Sequence, residues 1–294
     1  MAAQETSDPS EPRSSTPDRG ATVTSHSPFP ALHIIPPTQP HTHTIIILHG
    51  RGSSGPEFAF SLSFAQSSSG KTLFEHFPSY RWLFPTSATR FSTVFQGPLC
   101  EWFDIQSLTD PSRRPELQLQ GLRESVAYVH RLVKEEARNV DAKRIVLGGI
   151  SQGSAMGWHA LLSSSVLLGG FFGLSTWLPF CAELDAIGTR TEGQRCRGKA
   201  LVSELHRSIL DSESAGWDEK QANSFDTPVF LSHCVDDHVV DVELGQACAG
   251  ALRKLGLEVR WKDYESGGHW IKSPEGYDDL VAFLEDTAGV DFRG

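Results

Sequence analysis

The sequence predicts an α/β protein, a mainly parallel central sheet with helices on both faces. Three observations carry that expectation. Short apolar runs alternate with helical repeats along the chain, the pattern of strand–helix–strand units. Two of the runs, "IIIL" at 45–48 and "IVLGGI" at 145–150, are continuously apolar, as strands covered on both faces must be. The 294 residues, 39% of them apolar, suffice for one large core.

Taken in order, fifteen of the first 30 residues are Pro, Ser or Thr, a composition that buries too little surface to offset the entropy of ordering. Residues 1–28 therefore read as a flexible tail and 29–294 as the folded domain. "LHII" at 32–35, "TIIILHG" at 44–50 and "RWLFP" at 81–85 read as strands. Leu119, Leu122, Val126, Val129, Val133 and Ala137 recur at steps of three and four, which marks an amphipathic helix. Next come the strand "RIVLGGI", a helix from about Gln152, the strands "GGFFGLS" and "PVFLSHC", and a helix from about Asp241 to Leu255. The strand "EVRWKDY" and a helix near Gly276–Asp286 complete the series. About 45 residues at 182–226, rich in charge and Ser, interrupt the rhythm as a variable insertion. Leu201, Leu205 and Ile209 could line one face of a short helix there, and both a lid and a disordered loop stay open.

Bulk chemistry removes several classes of function. A net charge of −10 with no local basic stripe leaves nothing for phosphate backbones, so no nucleic-acid partner is expected. Five scattered cysteines, never in a C-x-x-C pair, suggest neither disulfides nor zinc and fit a reducing compartment. No window approaches ~18 consecutive apolar residues, so no transmembrane segment is expected. The acidic N-terminal stretch lacks the apolar core of a secretory signal, which makes a cytoplasmic location the expectation.

Parallel sheets bind ligands at the carboxyl ends of their strands, so functional residues should follow strands directly. Gly149-Ile150-Ser151-Gln152-Gly153 does so, and it has the G-x-S-x-G form that places a serine on a sharp strand-to-helix turn. "GLSTW" at 173–177 lacks the second glycine, so Ser175 does not share the reading. A serine hydroxyl needs a base to take its proton and an acid to orient the base. Of the five histidines beyond Ser151, His159 points down the elbow helix, His206 lies in the insertion, and His233 and His238 flank the loop needed for the acid. His269 in "YESGGHW" remains, after a strand and before a helix. Asp236 and Asp237, just beyond "VFLSHC", are both placed to orient it, with Asp263 a weaker rival and Asp241 better suited as a helix N-cap. The amide of Gln152, at the helix N-terminus, suits an oxyanion hole, and the amide of Arg51 in "LHGRGSSG" is the natural second donor.

"LHGRGSSG", "EWFDI", "RIVLGGISQGSAM" and "GLSTWLP", followed by an Asp loop and "GGH", closely resemble the phospholipase/carboxylesterase family that contains the acyl-protein thioesterases. The likeness runs from about Leu32 to Glu285 and implies an α/β-hydrolase fold without metal or organic cofactor. It implies Ser151 as nucleophile, His269 as base, Asp237 rather than Asp236 as acid, and Arg51 and Gln152 as oxyanion donors. It also places Trp102 and Trp177 near the acyl pocket. The implied substrates are small-molecule or lipid-like acyl esters or thioesters, S-acylated protein among them, with lysophospholipase and small-metabolite esterase as alternatives. The chain departs from the pattern at Arg51 and Ser53, where leucine and aspartate are usual, so the mouth of the pocket gains a cation. The insertion is also longer than in compact relatives. The longer insertion and the lack of an N-terminal cysteine for lipid attachment weigh against protein depalmitoylation.

Two rivals belong to other classes. "AQSSSGKT" at 65–72 fits a loose phosphate-binding loop, and Phe58, Phe60, Leu62 and Phe64 alternate before it as a strand would. Against a nucleotide-binding role, the loop has one glycine and Pro78 cuts short any helix that follows. The other rival is a hydrolase fold that only binds.

Overall fold

The computed structural model describes residues 29–211 and 224–289, so the expected tail at 1–28 and part of the insertion lie outside it. Seven strands form one sheet: in spatial order β1 (His33–Ile35), β3 (Tyr80–Phe84), β2 (His43–Leu48), β6 (Ile145–Ile150), β7 (Gly170–Leu174), β8 (Val229–Cys234) and β9 (Val259–Tyr264). Only β1 pairs antiparallel, with β3; every other neighbour is parallel. β4 (Thr89–Ser92) and β5 (Gly97–Cys100) form a separate antiparallel hairpin.

The period of two along each strand divides the core into two layers. Ile46, Leu48, Leu147, Phe171 and Leu231 face one side, against α3 (Gln118–Glu136), α4 (Gln152–Leu162), α5 (Cys181–Arg190), α6 (Arg195–Leu210) and α7 (Val242–Lys254). Ile45, Ile47, Val146, Phe172 and Phe230 face the other, against α1 (Gly55–Ser63), α2 (Leu73–His76) and α8 (Glu275–Gly289). Ile45 to Leu48 are fully buried, and burial of each such side chain contributes about 1.5–3 kcal/mol before conformational entropy is subtracted.

Every strand and helix expected from the sequence is present, with ends shifted by up to three residues. The structure corrects the segment before the supposed phosphate loop, which is helical. Ser54 caps α1 by accepting from the Glu57 amide, and Pro56 sits in its first turn, where no amide is needed. Phe58 and Leu62, one turn apart, are buried, while Phe60 and Phe64 point to solvent. Residues 65–72 thus follow a helix, and the helix beyond them is only four residues long. Neither the strand nor the long helix of a phosphate-binding loop exists. In the described part of the insertion, Leu184, Ile187, Val202 and Ile209 join the core cluster, with Leu201 and Leu205 half-buried against it.

Candidate active site

The elbow is built by close approach. Ser151 adopts φ 56°, ψ −128°, a region that costs an ordinary residue energy and persists only where its surroundings hold it. They do so from both sides: the Ser151 amide donates to Leu174 O at 2.8 Å, and the Ser151 carbonyl accepts from the Ala155 amide and the Thr176 hydroxyl. A Cβ on Gly153 would meet His49 O at 2.4 Å, and one on Gly149 would meet Leu48 O at 2.9 Å, so only glycine lets α4 pack this tightly on β2.

The loop after β2 stands beside the serine, since a Cβ on Gly50 would lie 3.5 Å from Ser151 Cβ. His49 fixes this loop. Its Nδ1 bonds Gly50 O at 2.7 Å and its Nε2 accepts from the Ser87 amide at 3.0 Å, a pattern that defines the neutral Nδ1–H tautomer. Burial pushes the His49 pKa down to about 4 and so favours that neutral ring. Gly52 donates to Cys100 O and ties the loop to β5. Gln152 is fully buried; its Oε1 accepts from the Trp102 amide at 3.0 Å and its Nε2 donates to Phe103 O at 2.7 Å. Its side chain therefore clamps the "EWFDI" segment, while its amide lies in the first turn of α4, where backbone donors have no intrahelical partner.

The residues expected as acid and base meet on two loops from neighbouring strands. His269 Nδ1 lies 2.7 Å from Asp237 Oδ2, while Asp237 Oδ1 accepts from the amides of Val239 and Val240. His233 Nε2 donates to Val240 O and stands 3.3 Å from the same Oδ2. Burial alone would raise the Asp237 pKa, but these hydrogen bonds from His233, His269 and the two amides outweigh it and hold the carboxyl far below its usual range. Asp236, which the family resemblance sets aside as the acid, accepts from the Gly268 amide at 2.8 Å and so braces the loop that carries His269. Asp241 takes the N-cap position of α7 without a side-chain cap bond.

Ser151, Gln152, Arg51 and His269 line one cavity of about 220 Å³, together with Trp177 and Trp270. A larger cavity of about 620 Å³ adjoins it across Pro111, Trp177 and Leu244. Trp102 does not line either cavity: it is fully buried and donates from Nε1 to His49 O at 2.8 Å. The expectation of a pocket position for Trp102 is thus corrected, because its indole nitrogen is spent on the loop behind the site. His49 and Trp270 escaped sequence reasoning, which set His233 aside as a flank of the acid loop; His49 is fixed from Ser87, 38 residues away, while His233 bonds locally to Val240, and only the placement of both histidines near strand ends hinted at them.

A serine on a strained elbow, a histidine held by a buried carboxylate and the first-turn amide of α4 beside one cavity, on a mainly parallel sheet covered by helices, define the class, an α/β-hydrolase. The comparisons give the family. The profile of the phospholipase/carboxylesterase family matches residues 30–196 and 210–287. Acyl-protein thioesterase 1 of Schizosaccharomyces pombe is 31% identical over 259 residues, covering 87% of this chain and 96% of that protein. The Gibberella zeae acyl-protein thioesterase 1 is 29% identical over 256 residues, covering 85% and 93%. The crystal structure of Zea mays acyl-protein thioesterase 2 superposes with a TM-score of 0.63 at 25% identity, covering 88% of this chain and 99% of that one. The chain belongs to the phospholipase/carboxylesterase family and is a hydrolase of esters and thioesters.

Proposed function

We propose that Ser151 forms the acyl-enzyme. His269, with Nδ1 held by Asp237, presents Nε2 to the Ser151 hydroxyl and accepts its proton as oxygen attacks the carbonyl. The amides of Arg51 and Gln152 stabilise the oxyanion; His269 then protonates the leaving alcohol or thiol, and water attacks the acyl-serine by the reverse path. These steps use only side chains and amides, with no metal or organic cofactor. The observation that carries the reading is that His269, held by the buried Asp237, lines one cavity with the strained Ser151.

The named relatives are acyl-protein thioesterases, so lipid-like acyl esters and S-acylated protein are the first substrates to try. Arg51, Ser53 and the insertion helices α5 and α6 favour a small-molecule acyl ester over a protein. No helix among the described residues is long and apolar enough to cross a membrane; the five free cysteines fit the reducing cytoplasm we propose as the location. A panel of oxoesters and thioesters of increasing chain length, run beside Ser151→Ala, tests the reading: turnover that the variant abolishes is expected, and turnover that the variant keeps would overturn it.

A further inference from the structure

We propose that the Arg51 side chain selects substrates bearing a negative charge, a carboxylate or phosphate, within a few bonds of the scissile carbonyl. The inference rests on the reading of Ser151 as nucleophile and names the substrate class of that site.

Arg51 lines the cavity beside Ser151 and Gln152. Its guanidinium carbon sits 5.0 Å from the centroid of the Phe95 ring at the hairpin tip, which fixes one face of the group. Nη1 is buried and has no hydrogen-bond partner. The two nearby acids leave it so. Both Asp104 oxygens accept from Thr93, one from its amide and one from its hydroxyl. Both Glu101 oxygens are buried, and neither bonds Arg51. Burial, with Asp104 adding to it, pushes the Glu101 pKa up to about 7, against the opposing pull of Arg51 and Arg90, so near neutral pH this carboxyl is only in part a counter-ion.

A half-desolvated cation with one buried nitrogen unpaired is costly, and an anionic group arriving in the cavity relieves that cost through charge-assisted hydrogen bonds. A neutral substrate brings no such relief. The guanidinium lies within one side-chain length of its own amide, the proposed oxyanion donor, which is why the charge must sit close to the carbonyl. The net charge of −10 repels anions at long range, but that repulsion is screened beyond about 8–10 Å at physiological salt. Selection is therefore local to Arg51. When ionised, Glu101 opposes the incoming anion.

The test compares kcat/KM for matched charged and neutral esters, each above its uncatalysed rate. One pair carries the charge on the acyl side, a succinate monoester against its methyl-capped diester. The other carries it on the leaving group, an S-butyryl mercaptoacetate against its amide. Wild type should favour the charged member of at least one pair by about tenfold or more, and the pair that responds locates the charge. Arg51→Gln should bring that ratio close to one, Arg51→Lys should restore part of it, and Glu101→Gln should raise it. A wild-type ratio at or below one in both pairs, or an unchanged ratio in Arg51→Gln, overturns the inference while hydrolysis of the neutral esters leaves the Ser151 reading standing. If Arg51→Gln turns over neither ester, the wild-type and Glu101→Gln ratios decide. Absence of turnover of all four esters by wild type would overturn both readings.

Discussion

Asp237 keeps its charge in the interior because two histidines and two amides share it, whereas Asp236 is half-exposed and accepts from the Gly268 amide. Asn at 237 would keep the shape but favour the wrong imidazole tautomer, and turnover should fall by about 10⁴. Asn at 236 still accepts from Gly268 and should stay close to wild type; kcat/KM of the two variants on one ester checks this, and the opposite order would reassign the acid. Trp177 stands between the two cavities, so Trp177→Ala should shift the preferred acyl length upward in a chain-length series, and an unmoved optimum would remove Trp177 from the pocket wall. At this scale the sequence was most legible where a residue follows a strand, as Ser151, the Asp pair and His269 do. Trp102 was misplaced because an aromatic residue in a family motif can face either the substrate or the backbone behind it, and only its bond to His49 O tells which.

The elbow depends on contacts made by what its glycines lack. Gly153→Ala would press a methyl group into His49 O, at a cost of about 1–3 kcal/mol or more, while Gly250→Ala in α7 meets nothing within 4 Å and should stabilise by about 0.4–1 kcal/mol. Urea unfolding midpoints should move in opposite directions for the two; a shared direction would contradict the packing. Strands with continuous apolar runs and the long helix α3 were legible because their periods are unambiguous. α1 was not, since Phe58, Phe60, Leu62 and Phe64 fit a period of two as well as a helix whose turn separates Phe58 from Leu62. The hairpin β4–β5 went unread because four-residue strands, one containing Pro98, carry little pattern. In the insertion, α6 is tied to the elbow helix by a histidine pair: His206 Nδ1–H donates to Val202 O, so His206 Nε2 accepts from His159 Nδ1 at 3.1 Å.

Across the whole molecule, buried histidines set the acid limit of stability. Burial pushes His49 and His206 down to about 4, and His159 well below its ordinary value. The unfolded chain takes up protons near pH 6.5 that the folded chain refuses until about 4, so stability is lost as pH falls through that window. Asp237 contributes in the same direction at lower pH, its stabilisation being present above the unfolded carboxylate value and lost below it. Glu101 has the opposite sign: its raised pKa means that stability is lost as pH rises from about 4.5 to about 7. Thermal midpoints should therefore fall steeply below pH 6.5, and Glu101→Gln should stabilise most at pH 8; a flat acid limb, or a destabilised Glu101→Gln at pH 8, would contradict this. The architecture itself, helices on both faces of a parallel sheet with its chemistry at one edge, was legible because parallel pairing leaves strands apolar on both faces. The orientation of two cavities around Trp177 was not, since cavity shape is a product of packing among residues far apart in the chain.

The central claim is that Ser151 is the nucleophile. Reaction of the folded protein with a fluorophosphonate, read by intact mass and peptide mapping, tests it most directly. One adduct on the peptide containing Ser151 is predicted, absent from Ser151→Ala and much slower to form in Asp237→Asn. Failure of an ester-hydrolysing preparation to form the adduct, or its persistence in Ser151→Ala, would contradict the claim.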